Sequence, residues 1–527
     1  MAHTTHATSM AMATHKPRNA QCTRQPRSAI KHAATAMPQS MPKSTATSEW
    51  LTSALGSAPP PTSDAQTAAR AALASLAFPT SRDEEWRFTD VSQLEDAPLT
   101  VPLTPSTTST DDVLASATFE GAHRVVLVDG RFDANLSTPL DEMMSSLPSG
   151  SYVGTLASAP ESLADLRDAY DSLASAPPVT EPLTRGVPEP GAVQPPPPKP
   201  TDVFRLLNTA FATPEDTFCV YLPAGTKSEA TIHIVHVSTA FAGASAVSAS
   251  FARVLLVLGE GAKLDVAEEL VCCDENADAA VLAVPVLEAA LAPRAKLHHA
   301  VYQRFGRTSS SGGGYESSGG NTYCLKSTIV SQAEESVYDE TDVSTGAHVG
   351  RNTVTVSQRG PRTATGLRSF TLASAPSQTL DVHTSAILSY PEGTTSQLHK
   401  CIVGNASAKG VFDGNVQVLR EAQRTDAQQL TRTLLLEPRA TIHAKPNLQI
   451  VADDVSCTHG CTISDLDDTS MFYLQSRGIS REAAREQLVL SFGLEVVEKM
   501  RPSDQSDGDA WKDLVSRVTA DVRTAVS

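Results

Sequence analysis

At 527 residues the chain is long enough for two or three domains and a large buried core. Its 40% hydrophobic and 19% charged residues suit a water-soluble globular protein, and no run approaches the roughly 18 to 20 uninterrupted apolar residues of a membrane helix. With 59 acidic residues against 42 Lys and Arg, a net charge of −17 argues against nucleic acid or an anionic membrane as the main partner.

In chain order, residues 1–48 differ in kind from the rest. They carry Lys16, Arg18, Arg24, Arg27, Lys31 and Lys43, many Ser, Thr and Ala, and no acidic residue before Glu49. That is the composition of an organellar transit peptide without the apolar region of a secretory signal. The Ser and Thr content leans towards chloroplast, with mitochondrion the alternative and a retained basic tail the plain one. Without the segment, 36 basic residues face 59 acidic ones, a net charge of −23.

Residues 49–175 read as a small helical or α+β domain. An Ala- and Leu-rich helix runs from about Ala65 to Leu76, a charged turn follows at FPTSRDEEWRFTDVSQL, and Val125–Val128 is a short strand closed by Asp129-Gly130. A Pro-rich linker or insertion occupies 176–201, including Pro195 to Pro198, and a Gly/Ser loop spans 309–320.

Between about Thr217 and Val455 come short β-type runs, among them ATIHIVHV, ARVLLVLG, NTVTVSQ, NVQVLRE, TRTLLLE and LQIVAD. Turn residues separate them every 8 to 14 positions or so, and no strict repeat is visible. The pattern fits a sandwich, a barrel or a solenoid. Residues 464–527 then switch to helix. Ser464 or Asp465 caps a first helix that ends at Arg477-Gly478, and Ser480 caps a second whose Ala484, Leu488, Phe492 and Val496 form one stripe. That stripe serves either its own domain or another subunit.

Several chemistries are absent from the sequence. Gly225-Thr226-Lys227-Ser228 has the letters of a phosphate loop in the wrong order, and there is no GxSxG, HExxH or GxGxxG. Paired carboxylates of a carbohydrate-active β-helix enzyme do not stand out. The eight cysteines are irregularly spaced, against a disulfide framework. His399-Lys400-Cys401, His443 and Lys445 read as structural.

One segment is different: DDVSCTHGCTISDLDDTSMFYLQSRGIS, from Asp453 to Ser480. Cys457, His459 and Cys461 stand two apart, so on a strand all three leave one face. Two thiols and an imidazole on one face make a soft-metal surface, yet fall short of the four ligands of a closed zinc site. The plainer reading makes the cysteines small hydrophobes beside a satisfied histidine.

This segment, with GVFDGNVQVLREAQRTDAQQLTRTLLLEPRATIHAKPNLQI upstream and FPTSRDEEWRFTDV and VLVDGRF near the N-terminus, resembles the SufB/SufD family of iron–sulfur cluster assembly proteins, on its SufD side. The resemblance implies a mainly β fold: a right-handed parallel β-helix core at 202–463 with N-terminal α+β and C-terminal helical flanks. It implies a non-ATPase scaffold subunit that pairs with a SufB-like subunit and docks a SufC-like ATPase, with no nucleotide site of its own. A transient iron–sulfur cluster would form at the subunit interface, with reduced flavin on the complex a further cofactor. The resemblance puts Cys457 and His459 at that interface, His459 first, with Cys461 in place of the commoner Ala. The ATPase-docking region would include Phe472, Leu474, Arg477, Leu488 and Phe492, and the compartment would be the chloroplast stroma. SufB itself has a Glu after the histidine, where this chain has Gly460, and a cysteine well upstream of it, in the neighbourhood where this chain has Leu430-Thr431-Arg432. The rival expectation is a purely structural subunit, all cluster ligands lying in SufB.

Overall fold

The computed structural model describes residues 48–526 apart from 103–109, 175–202, 243–244, 274–278, 309–314, 317–320 and 503–508. The transit-peptide segment, except Ser48, the Pro-rich stretch and most of the Gly/Ser stretch lie outside the described residues.

The β-type runs become strands that alternate between two sheets. One sheet runs from Tyr152–Thr155 to Thr441–Ile450, the other from the Arg131–Phe132 hairpin partner and His123–Val128 to Ser456–Ser464. Within each sheet the strands are parallel, apart from antiparallel pairs at the N-terminal ends. A chain that visits each sheet once per turn and stacks every turn on the last is a parallel β-helix, so the sandwich and barrel readings fall away. Register shows a nearly constant step from one coil to the next: Val349 pairs with Thr379, Thr379 with Lys409 and Lys409 with Thr441.

That period is written in backbone geometry. At one corner the chain turns through a left-handed residue in successive coils: Arg294, Glu335, Arg362, Glu392 and Arg424, all with φ near +60°. Each donates its N–H to a corner carbonyl of the next coil, Arg294 to Glu334 (2.8 Å) and Glu392 to Gln423 (2.9 Å) among them. The side chains alternate in sign, so Arg362 pairs with Glu335 (2.8 Å) and Arg424 with Glu392 (2.6 Å). Glycine is the usual occupant of such a corner; here the hydrogen bonds and ion pairs hold charged residues there instead.

The interior changes character along the strands. One part is filled by Val254, Leu256, Leu258, Leu264, Val266 and Leu287. Further along the strand that carries Leu264 and Val266, charge is buried: Glu268 bonds His236 and His299 (both 2.8 Å) and pairs with Lys326 at 2.7 Å. Burial would raise this carboxyl, but Lys326 and the two histidines outweigh it and hold it well below the usual range.

Both outer faces are covered. Helices Glu49–Gly56, Asp64–Leu73 and Val203–Phe211 share a core with Tyr323, Leu325 and Val349 on the first sheet. The charged turn expected near residue 86 is a strap: Trp86 is buried under the Arg351 guanidinium at 4.1 Å, and Phe88 stacks on His443 at 3.8 Å. Helices Arg481–Val497 and Asp509–Val526 pack Val489, Leu490, Val496, Trp511 and Val518 on Phe370, Leu372, Ile402 and Leu434 of the second sheet. No described helix is long and apolar enough to cross a membrane.

Candidate functional site at the open end of the β-helix

The last strand of each sheet has one neighbour only. Ser456–Ser464 pairs with Asp426–Leu435, Thr441–Ile450 with Lys409–Val418, and among the described residues nothing pairs beyond them. The register places Cys457 on Ala427, His459 on Gln429 and Cys461 on Thr431. Those three partners are interior residues, 0%, 3% and 0% exposed. Cys457, His459, Cys461 and Ile463 therefore continue the inward face of the β-helix, as period-two alternation requires. The difference is that no further coil covers them: Cys457 is half-buried, while His459, Cys461 and Ile463 are exposed. Ile450 and Val451 are exposed at the same end.

Geometry divides the three soft groups. With a rise of about 3.3 Å per residue, Cys457 and Cys461 stand about 13 Å apart along the strand, too far to share one ion. His459, between them, can join either. No cluster of three or more His, Cys, Asp or Glu side chains among the described residues is arranged to hold a metal ion. Burial, and secondarily the Asp426 carboxylate, raises the Cys457 thiol above its ordinary range. A metal arriving there must displace its proton.

The strand runs through Ser464–Asp467 into helix Asp468–Ser476. Its cap is Asp467, whose carboxylate accepts from Ser470 N at 2.8 Å, not Ser464 or Asp465. The expected stop is present, with Gly478 left-handed at φ +85°, and Ser480 caps the next helix. The first helix buries no residue, and Phe472 is 72% exposed. Arg477 is also exposed and lies 5.2 Å over the Tyr473 ring, while Leu474 is half-buried. Leu488 and Phe492 face elsewhere, lining a groove of about 350 Å³ with Arg432, Thr462 and Leu466. The buried Lys400 ammonium sits 4.4 Å over the Phe492 ring and donates to the Phe492 carbonyl at 2.9 Å, so that ring is engaged within the chain. The five docking candidates thus divide between an exposed helix and a groove wall.

This end of the molecule falls within a match, over residues 240–492, to the SufBD core domain of the SUF system for FeS cluster assembly. The chain is 37% identical over 433 residues to the chloroplastic protein ABCI7 of Arabidopsis thaliana, covering 81% of this chain and 80% of that one. The chain belongs to the SufBD family. A second SufBD-family relative, from Synechocystis, is 32% identical over 438 residues, 81% of this chain and 85% of its own. SufD of Escherichia coli is 41% identical over 105 residues, 20% of this chain and 25% of that one. For a SufBD-family chain, the β-helix and both helical flanks are as the resemblance implied.

Sequence reasoning missed two groups of residues. The interior Glu268 cluster draws on strands far apart in sequence, and no local spacing announces it. Gln397 and Gln429, inside the last coils, bond to each other at 2.8 Å. Gln429 belongs to the AQRTDAQQ run, read as a family signature and not as part of a site.

Proposed function

We propose that this chain is the SufD-type scaffold of a SUF complex, meeting a SufB-like subunit at the open end of its β-helix. The nascent iron–sulfur cluster is the cargo, held between the two subunits. The observation that carries this reading is the uncovered last coil: an inward-facing row of thiol, imidazole and thiol, with apolar Ile450 and Ile463 beside it, in a SufBD-family chain. Two unpaired parallel edges and exposed core side chains are what a second β-structure would cover. His459 supplies an imidazole ligand and Cys457 or Cys461 a thiolate, and the partner supplies the rest, which suits a site that must release its cluster.

The exposed helix Asp468–Ser476 supports docking of a SufC-like ATPase, since Phe472, Arg477 and Leu474 follow the site by a short stretch of chain. ATP-driven movement there can be passed to the terminal strand as a two-state opening. Nucleotide belongs to that partner, and reduced flavin, where used, to the complex. The acid-free N-terminus and the chloroplastic relative support a plastid address, with the stroma as its compartment.

Reconstitution of the three-subunit complex with His459→Ala tests the reading. Cluster formation is expected to be lost while the complex still assembles; full cluster yield refutes the proposal. The structural alternative, with all ligands on SufB, is favoured by the protonated Cys457 thiol. Replacing Cys457 and His459 together separates the two. The alternative requires lower stability with unchanged cluster yield per folded complex.

A further inference from the structure

Beneath the uncovered imidazole lies a column of buried polar side chains. Thr384 Oγ1 donates to Gln397 Oε1 at 3.0 Å, and Gln429 Nε2 donates to the same oxygen at 2.8 Å. Gln397 and Gln429 are register partners on adjacent strands, and His459 is the next position in that register. The chain leaves room for this amide: a Cβ on Gly414, across the interior, would collide with Gln429 Nε2.

Gln429 is 3% exposed, yet its Oε1 has no hydrogen-bond partner. A buried amide oxygen left unpaired costs about 1–3 kcal/mol, and apolar side chains would fill this position without that penalty. The one donor the register brings above it is the His459 imidazole, about 4.8 Å away along the strand-to-strand direction. An imidazole that ligates a metal through one nitrogen ordinarily donates its other N–H to an acceptor, which fixes tautomer and ring orientation. The geometry provides such an acceptor; the other orphan of the column, Gln397 Nε2, is a donor on the opposite side, on the amide that Gln429 already bonds through its own Nε2.

We infer that Gln429 is a positioning residue for His459: its Oε1 accepts one imidazole N–H and turns the remaining nitrogen towards the nascent cluster. This rests on His459 being a ligand, as proposed above. Gln429 itself does not touch the cargo.

The test is anaerobic Fe²⁺ titration of the reconstituted complex, with assembly and thermal melting followed alongside. Gln429→Met, nearly the same length, is expected to weaken iron binding 10- to 100-fold while assembly and melting stay at wild-type values. Gln429→Glu, which keeps an acceptor, is expected to restore affinity to within about threefold, a rescue that a packing role would not give. Combining Gln429→Met with His459→Ala is expected to be no worse than His459→Ala alone. Wild-type affinity in Gln429→Met, failure of the Glu variant to rescue, or additive losses overturn the inference. If Gln429→Met does not assemble, Gln429→Asn shortens the amide's reach by one methylene; weakened binding then supports the inference and unchanged binding overturns it. A wild-type complex that binds no iron, or His459→Ala binding like wild type, overturns the functional reading and this inference together.

Discussion

Asp342 lies inside the β-helix, 2% exposed, with Ser344 donating to its carboxylate. Burial first, and the neighbouring Glu340 carboxylate second, push its pKa from 3.8 to about 7. A carboxyl that holds its proton more tightly folded than unfolded contributes stability at low pH. That contribution is full below pH 3.8 and is lost as pH rises through about 7. Asp342→Asn has no proton to lose. Its stability relative to wild type is expected to grow between pH 5 and pH 8, by on the order of 1–3 kcal/mol. Urea unfolding at both pH values checks this, and a pH-independent difference would contradict it. His459 shows the other side of the residue scale. Its place on an inward face was legible from strand alternation alone; what sits beneath it was not, because Gln429 is a full coil away in sequence and adjacent only through register.

Among the elements, helix Asp468–Ser476 and helix Arg481–Val497 make an instructive pair. The sequence stripe of Ala484 and Val496 left its partner open, and both residues are fully buried within this chain. The shorter helix carries the exposed surface. Phe472→Ser is expected to leave unfolding free energy within about 0.5 kcal/mol of wild type, since the side chain is largely solvated. It should weaken binding of the SufC-like ATPase about tenfold or more, as loss of an aromatic anchor does. Calorimetric titration of the purified ATPase into both proteins separates the effects, and equal affinities would move the docking surface elsewhere. The strands teach a second lesson. TRTLLLE and LQIVAD are the apolar C-terminal parts of strands that begin earlier, at Asp426 and Thr441. Their first halves, DAQQ and TIHAK, carry no apolar run, because polar residues there face the interior or the strap, as Gln429 and His443 do.

At the scale of the whole molecule, buried charge ties the C-terminal helix to early strands of the second sheet. Glu269, 1% exposed, accepts from Arg517 of the C-terminal helix at 2.6 and 2.9 Å, pairs with Arg304 and lies 3.3 Å from His233. Burial would raise this carboxyl, but Arg304, His233 and Arg517 draw it far below the ordinary range. Removing the carboxylate takes the charge partner from both guanidiniums, leaving Arg304 its bond to Ser116 and Arg517 its bond to Thr118. Glu269→Gln is expected to destabilise the protein by about 3–5 kcal/mol and to speed amide exchange across Asp509–Val526 in particular. Uniform protection of that helix in the variant would show that Trp511 and its apolar neighbours hold it unaided.

By itself the sequence determined an acidic, mainly β chain, a helical C-terminus with its caps, and a row of thiol and imidazole on one strand face. These are local properties, set by alternation, capping and composition over short stretches of chain. Its motifs also carried the family likeness, because each lies within a short stretch of chain. The tertiary structure decided what depends on contacts a coil or more apart. It gave the coil period, hidden from sequence because Arg and Glu, stabilised by ladders of bonds, stand where glycine would have marked each corner. It gave the buried charge network and the amide column under His459. It also showed that the row is uncovered because, among the described residues, no strand pairs beyond Ser456–Ser464.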